Sequence, residues 1–175
     1  MAEIALSVPM APKGKGRPRL GRRGQHAVVY TPKATQQWER AFAGYVLGWV
    51  SAQRANGAAI SLPLDGPLEI DVVAVLPRPK RLTRRKDPDG LIWAPVKPDH
   101  DNIEKAVFDA LQISVNGVQV VADDARIVAQ PTFKVYAEKN GEPRVIVRLR
   151  PVSDDSMTKV QELANSISGH NEAIV

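Results

Sequence analysis

Cysteine is absent from the 175 residues, which removes disulfides, thiol nucleophiles and thiolate zinc sites together. Histidine is scarce, and His26, His100 and His170 stand at no spacing that a zinc site uses. A metal held by this chain must therefore be held by oxygen. Long apolar runs are missing as well. No stretch nears the roughly 18 apolar residues of a membrane span, and the start Met1-Ala2-Glu3 lacks the basic-then-apolar pattern of a signal peptide. The expectation is a cytoplasmic protein with no membrane partner. Negative charge is in deficit: 24 Lys and Arg face 19 Asp and Glu, for a net charge of +5.

That excess matters through its placement. Lys13, Lys15, Arg17, Arg19, Arg22 and Arg23 form one cluster, and Arg78, Lys80, Arg81, Arg84, Arg85 and Lys86 form another. Half of the basic residues thus fall in two short stretches that contain no acid before Asp87. Such clustering favours a polyanionic partner such as nucleic acid, against the plainer reading of two solvated loops. The first cluster, Lys13-Gly14-Lys15-Gly16-Arg17-Pro18-Arg19, lacks the Gly-Lys-Ser/Thr ending of a phosphate-cradling loop. It reads as a flexible phosphate clamp.

The length suits one domain with a sizeable core. Ile4, Leu6 and Val8 alternate as a first strand, and Ala27-Val28-Val29-Tyr30 is a short β-prone interruption of the basic loop. Thr31-Pro32 opens a helix over about 35–52, with Trp38, Ala41, Phe42, Tyr45, Val46 and Trp49 as its packing stripe. Residues 68–76 form a long strand inside the sheet, because their later half is apolar on both faces. Residues 126–137 read as a strand broken near Pro131, and Asn140-Gly141 should turn it into a hairpin with 144–149. The order implies an α+β fold, a mixed β-sheet flanked by helices in a single domain. Residues 151–175 read as a C-terminal extension, partly helical or disordered, with 157–167 as its helical part.

Chemistry gathers around Lys97-Pro98-Asp99-His100-Asp101-Asn102-Ile103-Glu104-Lys105 and the run Ala106-Val107-Phe108-Asp109-Ala110-Leu111. Asp99 is a fitting N-cap, so a helix should begin at His100 or Asp101. At roughly 100° per residue, Ile103, Ala106, Val107, Ala110 and Leu111 share an apolar arc, while Asp101, Lys105 and Asp109 lie on another side. Taken alone, this is a cap followed by a solvated i,i+4 pair. A second acidic doublet, Asp123-Asp124, follows an Asn116-Gly117 turn signal that could return the chain to the helix start. Converging carboxylates repel one another, and a hard cation such as Mg²⁺ relieves that repulsion. The expectation is one shared pocket in which Asp99, Asp101 and Asp124 hold Mg²⁺ near a phosphodiester. Lys105 would stabilise developing charge, while His100 points elsewhere.

These two blocks closely resemble the signature of RusA-type Holliday-junction resolvases, small endodeoxyribonucleases often carried by phages and prophages. The family's D-x-D-N-x-x-K pattern falls on Asp99, Asp101, Asn102 and Lys105, and its later acidic pair on Asp123 and Asp124. Lys15-Gly16-Arg17-Pro18-Arg19 and Tyr30-Thr31-Pro32 are similar to its basic loop. The resemblance covers about residues 4–150 and implies an endonuclease domain over 1–150. It implies catalytic roles for Asp99, Asp101, Asp124 and Lys105, with Asp123 as a further metal ligand. It also implies a homodimer that nicks opposing strands of a four-way junction in DNA recombination and repair. A flap, branched-DNA or RNA nuclease would use the same acids, and a non-catalytic nucleic-acid-binding protein would use them only as caps.

Overall fold

The computed structural model describes residues 3–171, with the side chains of residues 23 and 166–171 outside that description. In chain order the strands are β1 (Ile4–Val8), β2 (Arg19–Arg23), β3 (His26–Tyr30), β4 (Leu68–Leu76), β5 (Ile92–Trp93), β6 (Ile127–Ala129), β7 (Thr132–Tyr136) and β8 (Arg144–Pro151). The helices are α1 (Lys33–Ala55), α2 (His100–Gln112) and α3 (Asp154–Asn171). Strand order in the main sheet is β1-β8-β4-β7-β5, with β6 also pairing β4. The β4 strand runs parallel to β6 and β7 and antiparallel to β8, so the sheet is mixed and the fold is α+β.

Alternation sorts the strands into two faces. Leu68, Ile70 and Val72 of β4, Val145, Val147 and Leu149 of β8, and Ile4 and Val8 of β1 are buried against Trp38, Phe42, Val46 and Val50 of α1 and Ala106, Val107, Ala110 and Leu111 of α2. Each large aliphatic or aromatic side chain so buried stabilises the fold by roughly 1.5–3 kcal/mol. That is more than the ~1 kcal/mol of a helix cap, so packing fixes where α2 lies. The other face carries an ionic ladder. Asp71 accepts from Arg148 at 2.6 Å and Arg150 at 2.8 Å, and Arg150 also pairs with Glu69. Burial alone would raise the Asp71 carboxyl, but the Arg150 and Arg148 bonds outweigh it and hold that carboxyl below the usual range.

Four expectations are corrected. The anticipated hairpin at Asn140-Gly141 does not form, because β4 lies between β7 and β8 and pairs with both. A tight hairpin turn of this kind needs positive φ at both central residues. Asn116 and Gly117 meet that need with φ of 53° and 80°, whereas Asn140 and Gly141 do not. The basic loop is not loose either. Its second half is an antiparallel hairpin, β2 with β3, turned at Gly24-Gln25 with Gly24 at φ 66°. Its first half is docked: the Trp38 indole donates to the Ala11 carbonyl and the Lys15 amide donates to Asn102. Gly14 and Gly16 permit this contact, since a Cβ would come within 2.7 Å of Pro98 at one and of Thr35 at the other. On α1, Tyr45 and Ala41 face outward while Ala43 and Val50 are buried in their place. Finally, the extension is helical from Asp154, earlier than expected, and Ser156 ties it to Glu69 at 2.8 Å.

Candidate active site at the start of the second helix

Helix α2 begins at His100 with Asp99 as its N-cap residue, and its buried side chains are Ile103, Ala106, Val107, Ala110 and Leu111. The apolar arc is thus as the spacing implied. Asp99 has extended backbone angles and no side-chain cap bond, so its carboxylate is not spent on the helix. Because α2 has 13 residues, it is about 20 Å long, and the chain must run back along it to bring the second doublet near its start. That return is well fixed. The Asn116-Gly117 turn closes on the Val115 and Val118 pair, and Val120 and Val121 both donate to the Leu111 carbonyl at 3.1 Å. Leu64 then donates to Val120 and receives from Ala122. The segment ends in a single 3₁₀ turn, Asp124–Arg126.

Asp123 caps that turn by accepting from the Ala125 amide at 2.9 Å. This bond, and next a contact with the Asp124 carboxyl, holds the Asp123 carboxyl below the usual range. One Asp123 oxygen is therefore structural. Asp124 faces an open cavity of about 390 Å³ shared with Asp101, Glu104, Lys105, Phe108 and Gln130. Lys105 stands 3.8 Å from Asp101, both largely exposed, so the pair is loose enough to exchange partners. Glu104 is fixed on one oxygen by the Thr132 hydroxyl at 2.6 Å. Sequence reading passed over Glu104, although its i,i+3 spacing from Asp101 places both on one helix face.

Asp99 does not join this cavity. It opens instead on a larger one, about 810 Å³, lined by Lys13, Lys15, Arg17, Lys97, Pro98 and Asn102. The four aspartates therefore do not form one group, and among the described residues no three His, Asp or Glu side chains are placed to enclose a metal ion. The reason is geometric: Asp99 stands before the helix, while Asp101 lies inside the first turn and rotates with it.

The basic residues divide between anchors and free cations. Lys13 donates to the Ala34 carbonyl at 2.6 Å. Lys15 donates to the buried Glu39 at 2.6 Å and pairs with Asp109. Burial opposes the Lys15 charge, but the Asp109 and Glu39 bonds exceed it and raise its pKa above the ordinary lysine value. Arg78 gives its guanidinium to the carbonyls of Leu82, Gly90, Ala137 and Pro88, and Arg84 pairs with Asp87. Arg17, Arg19, Arg22, Lys80, Arg81, Arg85 and Lys86 are exposed. The Arg23 side chain lies outside the described residues.

Comparison with known proteins adds an independent finding. A family profile described as "Endodeoxyribonuclease RusA" matches residues 9–150. The "Uncharacterized protein YqaN" of Bacillus subtilis (strain 168) is 30% identical over 155 residues, which are 86% of this chain and 97% of that protein. Both acidic doublets and the docked basic loop fall inside the family match.

Proposed function

The chain belongs to the RusA endodeoxyribonuclease family, and from that membership we propose that it is a Mg²⁺-dependent enzyme that resolves four-way DNA junctions by paired symmetric nicks. The observation that carries this reading is the shared cavity of Asp101, Asp124 and Lys105 beside the base-lined cavity around Asp99. A phosphodiester strand laid across the start of α2 would meet cations on one flank and carboxylates on the other.

The donor chemistry fits the ion. Mg²⁺ keeps several waters and takes one or two carboxylates together with substrate phosphate oxygens, and Asp101 and Asp124 supply such a pair. Asp99 stands two residues before Asp101 with a carboxylate that makes no cap bond, and Asp123 retains one oxygen beyond its cap. Bound there, the ion would offset phosphoryl charge and lower the pKa of water at the cleavage point. Lys105 presents its ammonium to charge that develops on the leaving side. The exposed Arg17, Arg19, Arg22, Lys80, Arg81, Arg85 and Lys86, with Arg23, hold the backbone. Lys15 and Arg78 keep their loops in the shape that presents the others. Paired nicks need two such sites, and a twofold junction matches a twofold dimer, so the working form is a homodimer. Residues 1–150 carry cleavage and 151–175 extend that domain.

The test is a labelled four-way junction, with duplex, flap and RNA of matched sequence, incubated with Mg²⁺ or with EDTA. Paired nicks in the junction alone, abolished by EDTA, are the expected result. Metal-independent binding without cleavage of any substrate would reduce the protein to a binding module, and preferred cutting of flap or RNA would reassign the substrate.

A further inference from the structure

A third cavity, about 300 Å³, lies beside His100, the first residue of α2. It is lined by Trp93, His100, Thr132, Phe133 and Lys134, among others. Trp93 is 71% exposed and Phe133 is 44% exposed, with ring centroids 6.5 Å apart and planes inclined by 45°. Large aromatic rings contribute most when buried, so two adjacent rings left open to solvent suggest a use other than packing.

The rings are held, not dangling. Trp93 belongs to the edge strand β5 and is registered opposite Val135 of β7. Just beyond it the Ala94 amide donates to Lys134 at 3.1 Å, and the Lys134 ammonium returns to the Val96 carbonyl at 2.6 Å. The backbone on both sides of the aromatic pair is thereby strapped to the sheet.

Position is the second argument. His100, in the wall of the aromatic cavity, is the residue before Asp101 in the acidic one. Thr132, in the same wall, donates to Glu104 of the acidic cavity at 2.6 Å. The linings of the acidic and aromatic cavities are thus joined by the bond between the Thr132 and Glu104 side chains. A nucleotide whose phosphate sat at Asp101 and Asp124 would have the ring-lined cavity as its neighbour across that bond.

We propose that Trp93 and Phe133 form a stacking platform for one nucleobase released from its helix at the branch point, next to the phosphodiester that is cut. This rests on the nuclease reading above and deepens it by naming the element that prefers branched DNA. In a continuous duplex every base is already stacked on both sides, so the platform gains nothing. At a junction a base can leave its stack and lie on the indole, and such contacts raise affinity on the order of tenfold per base. The preference comes from unstacking and not from hydrogen bonds, so it tolerates any base.

The test is binding of the full-length protein in EDTA, so that cleavage plays no part. Fluorescence anisotropy is read with a labelled four-way junction, the matched duplex, and a junction with abasic sites at the branch nucleotides. Trp93→Ala should weaken junction binding on the order of tenfold and leave duplex binding unchanged, and Trp93→Phe should restore most of the loss. The abasic junction should cost the unaltered protein the same factor and cost Trp93→Ala nothing more. Equal weakening on junction and duplex, or indifference to the abasic sites, overturns the platform. So does a change in sedimentation of the DNA-free protein with Trp93→Ala, because the rings would then be buried between two copies of the chain. Failure of the nuclease reading looks different: the unaltered protein would show abasic-sensitive binding but no Mg²⁺-dependent nicks.

Discussion

Two of the cavities at the start of α2, the acidic one and the one lined by bases, are built from neighbouring residues and have opposite character. On one side Asp101, Glu104 and Asp124 gather acid with Lys105 as the single cation lining the cavity. On the other, Lys13, Lys15, Arg17 and Lys97 surround Asp99. Two aspartates separated by one residue thus end in different electrostatic surroundings. In the proposed reaction the cations hold the phosphate backbone and the carboxylates hold the ion, and a helix start is a place where the chain can keep the two apart. Lys15, one of the cations lining the second cavity, is already committed to Glu39 and Asp109.

The largest effect that would sharpen this contrast is on cleavage. Asp124→Asn or Asp101→Asn should lower junction cleavage by on the order of a hundredfold or more, since even partners of metal ligands cost 10–100-fold when removed. Junction binding should be retained. Asp99→Asn should also lose cleavage, but because it removes the acid from the base-lined cavity it should tighten junction binding, which the other two variants do not. Anisotropy alongside a cleavage assay reads both, and identical behaviour of all three variants would mean that the two cavities act as one.

Next in size is the anchor between them. Lys15→Met strands the buried Glu39 carboxylate, and breaking such a pair costs roughly 3–5 kcal/mol, discounted here because Lys15 itself is 23% exposed. Urea unfolding should show the loss. The sign with pH follows from the raised Lys15 pKa: the stabilisation is fully present below the ordinary lysine value, about 10.4, and disappears as pH rises through the folded-state value. A deficit that grows in alkali would refute the assignment.

The smallest effect concerns the free cations. Arg17→Gln and Arg19→Gln should leave folding intact, weaken junction and duplex alike, and each reduce the slope of log affinity against log salt by about one. Arg78→Gln should instead lower stability without that signature, because its donors are given to four backbone carbonyls. A salt slope altered equally by Arg78→Gln would erase the distinction between anchors and free cations.

Much of this was legible in the chain. The arc from Ile103 to Leu111 and the two-faced β4 were readable because burial follows the period of the element, 3.6 or 2. The site residues were readable as types, since carboxylates in doublets and cations in runs suggest a metal and a polyanion. The β-prone stretch Ala27–Tyr30 was readable and is β3, but its partner Arg19–Arg23 was hidden by its charge, because exposed strands need no apolar alternation. The open pair Trp93 and Phe133 was hidden by distance along the chain.

The sequence by itself determined the α2 apolar face, the absence of thiol donors and the family resemblance, all of which are local in pattern or in composition. Tertiary structure decided which Asn-Gly would close a tight turn, which basic residues would be consumed as anchors, and which aspartate would share a cavity with Asp124. These outcomes depend on what a side chain meets from a distant segment: Glu39 and Asp109 for Lys15, β4 for the strands after Pro131, the first turn of α2 for Asp124. Such partners are set by the packing of the whole sheet against its helices, and no window of neighbouring residues contains them.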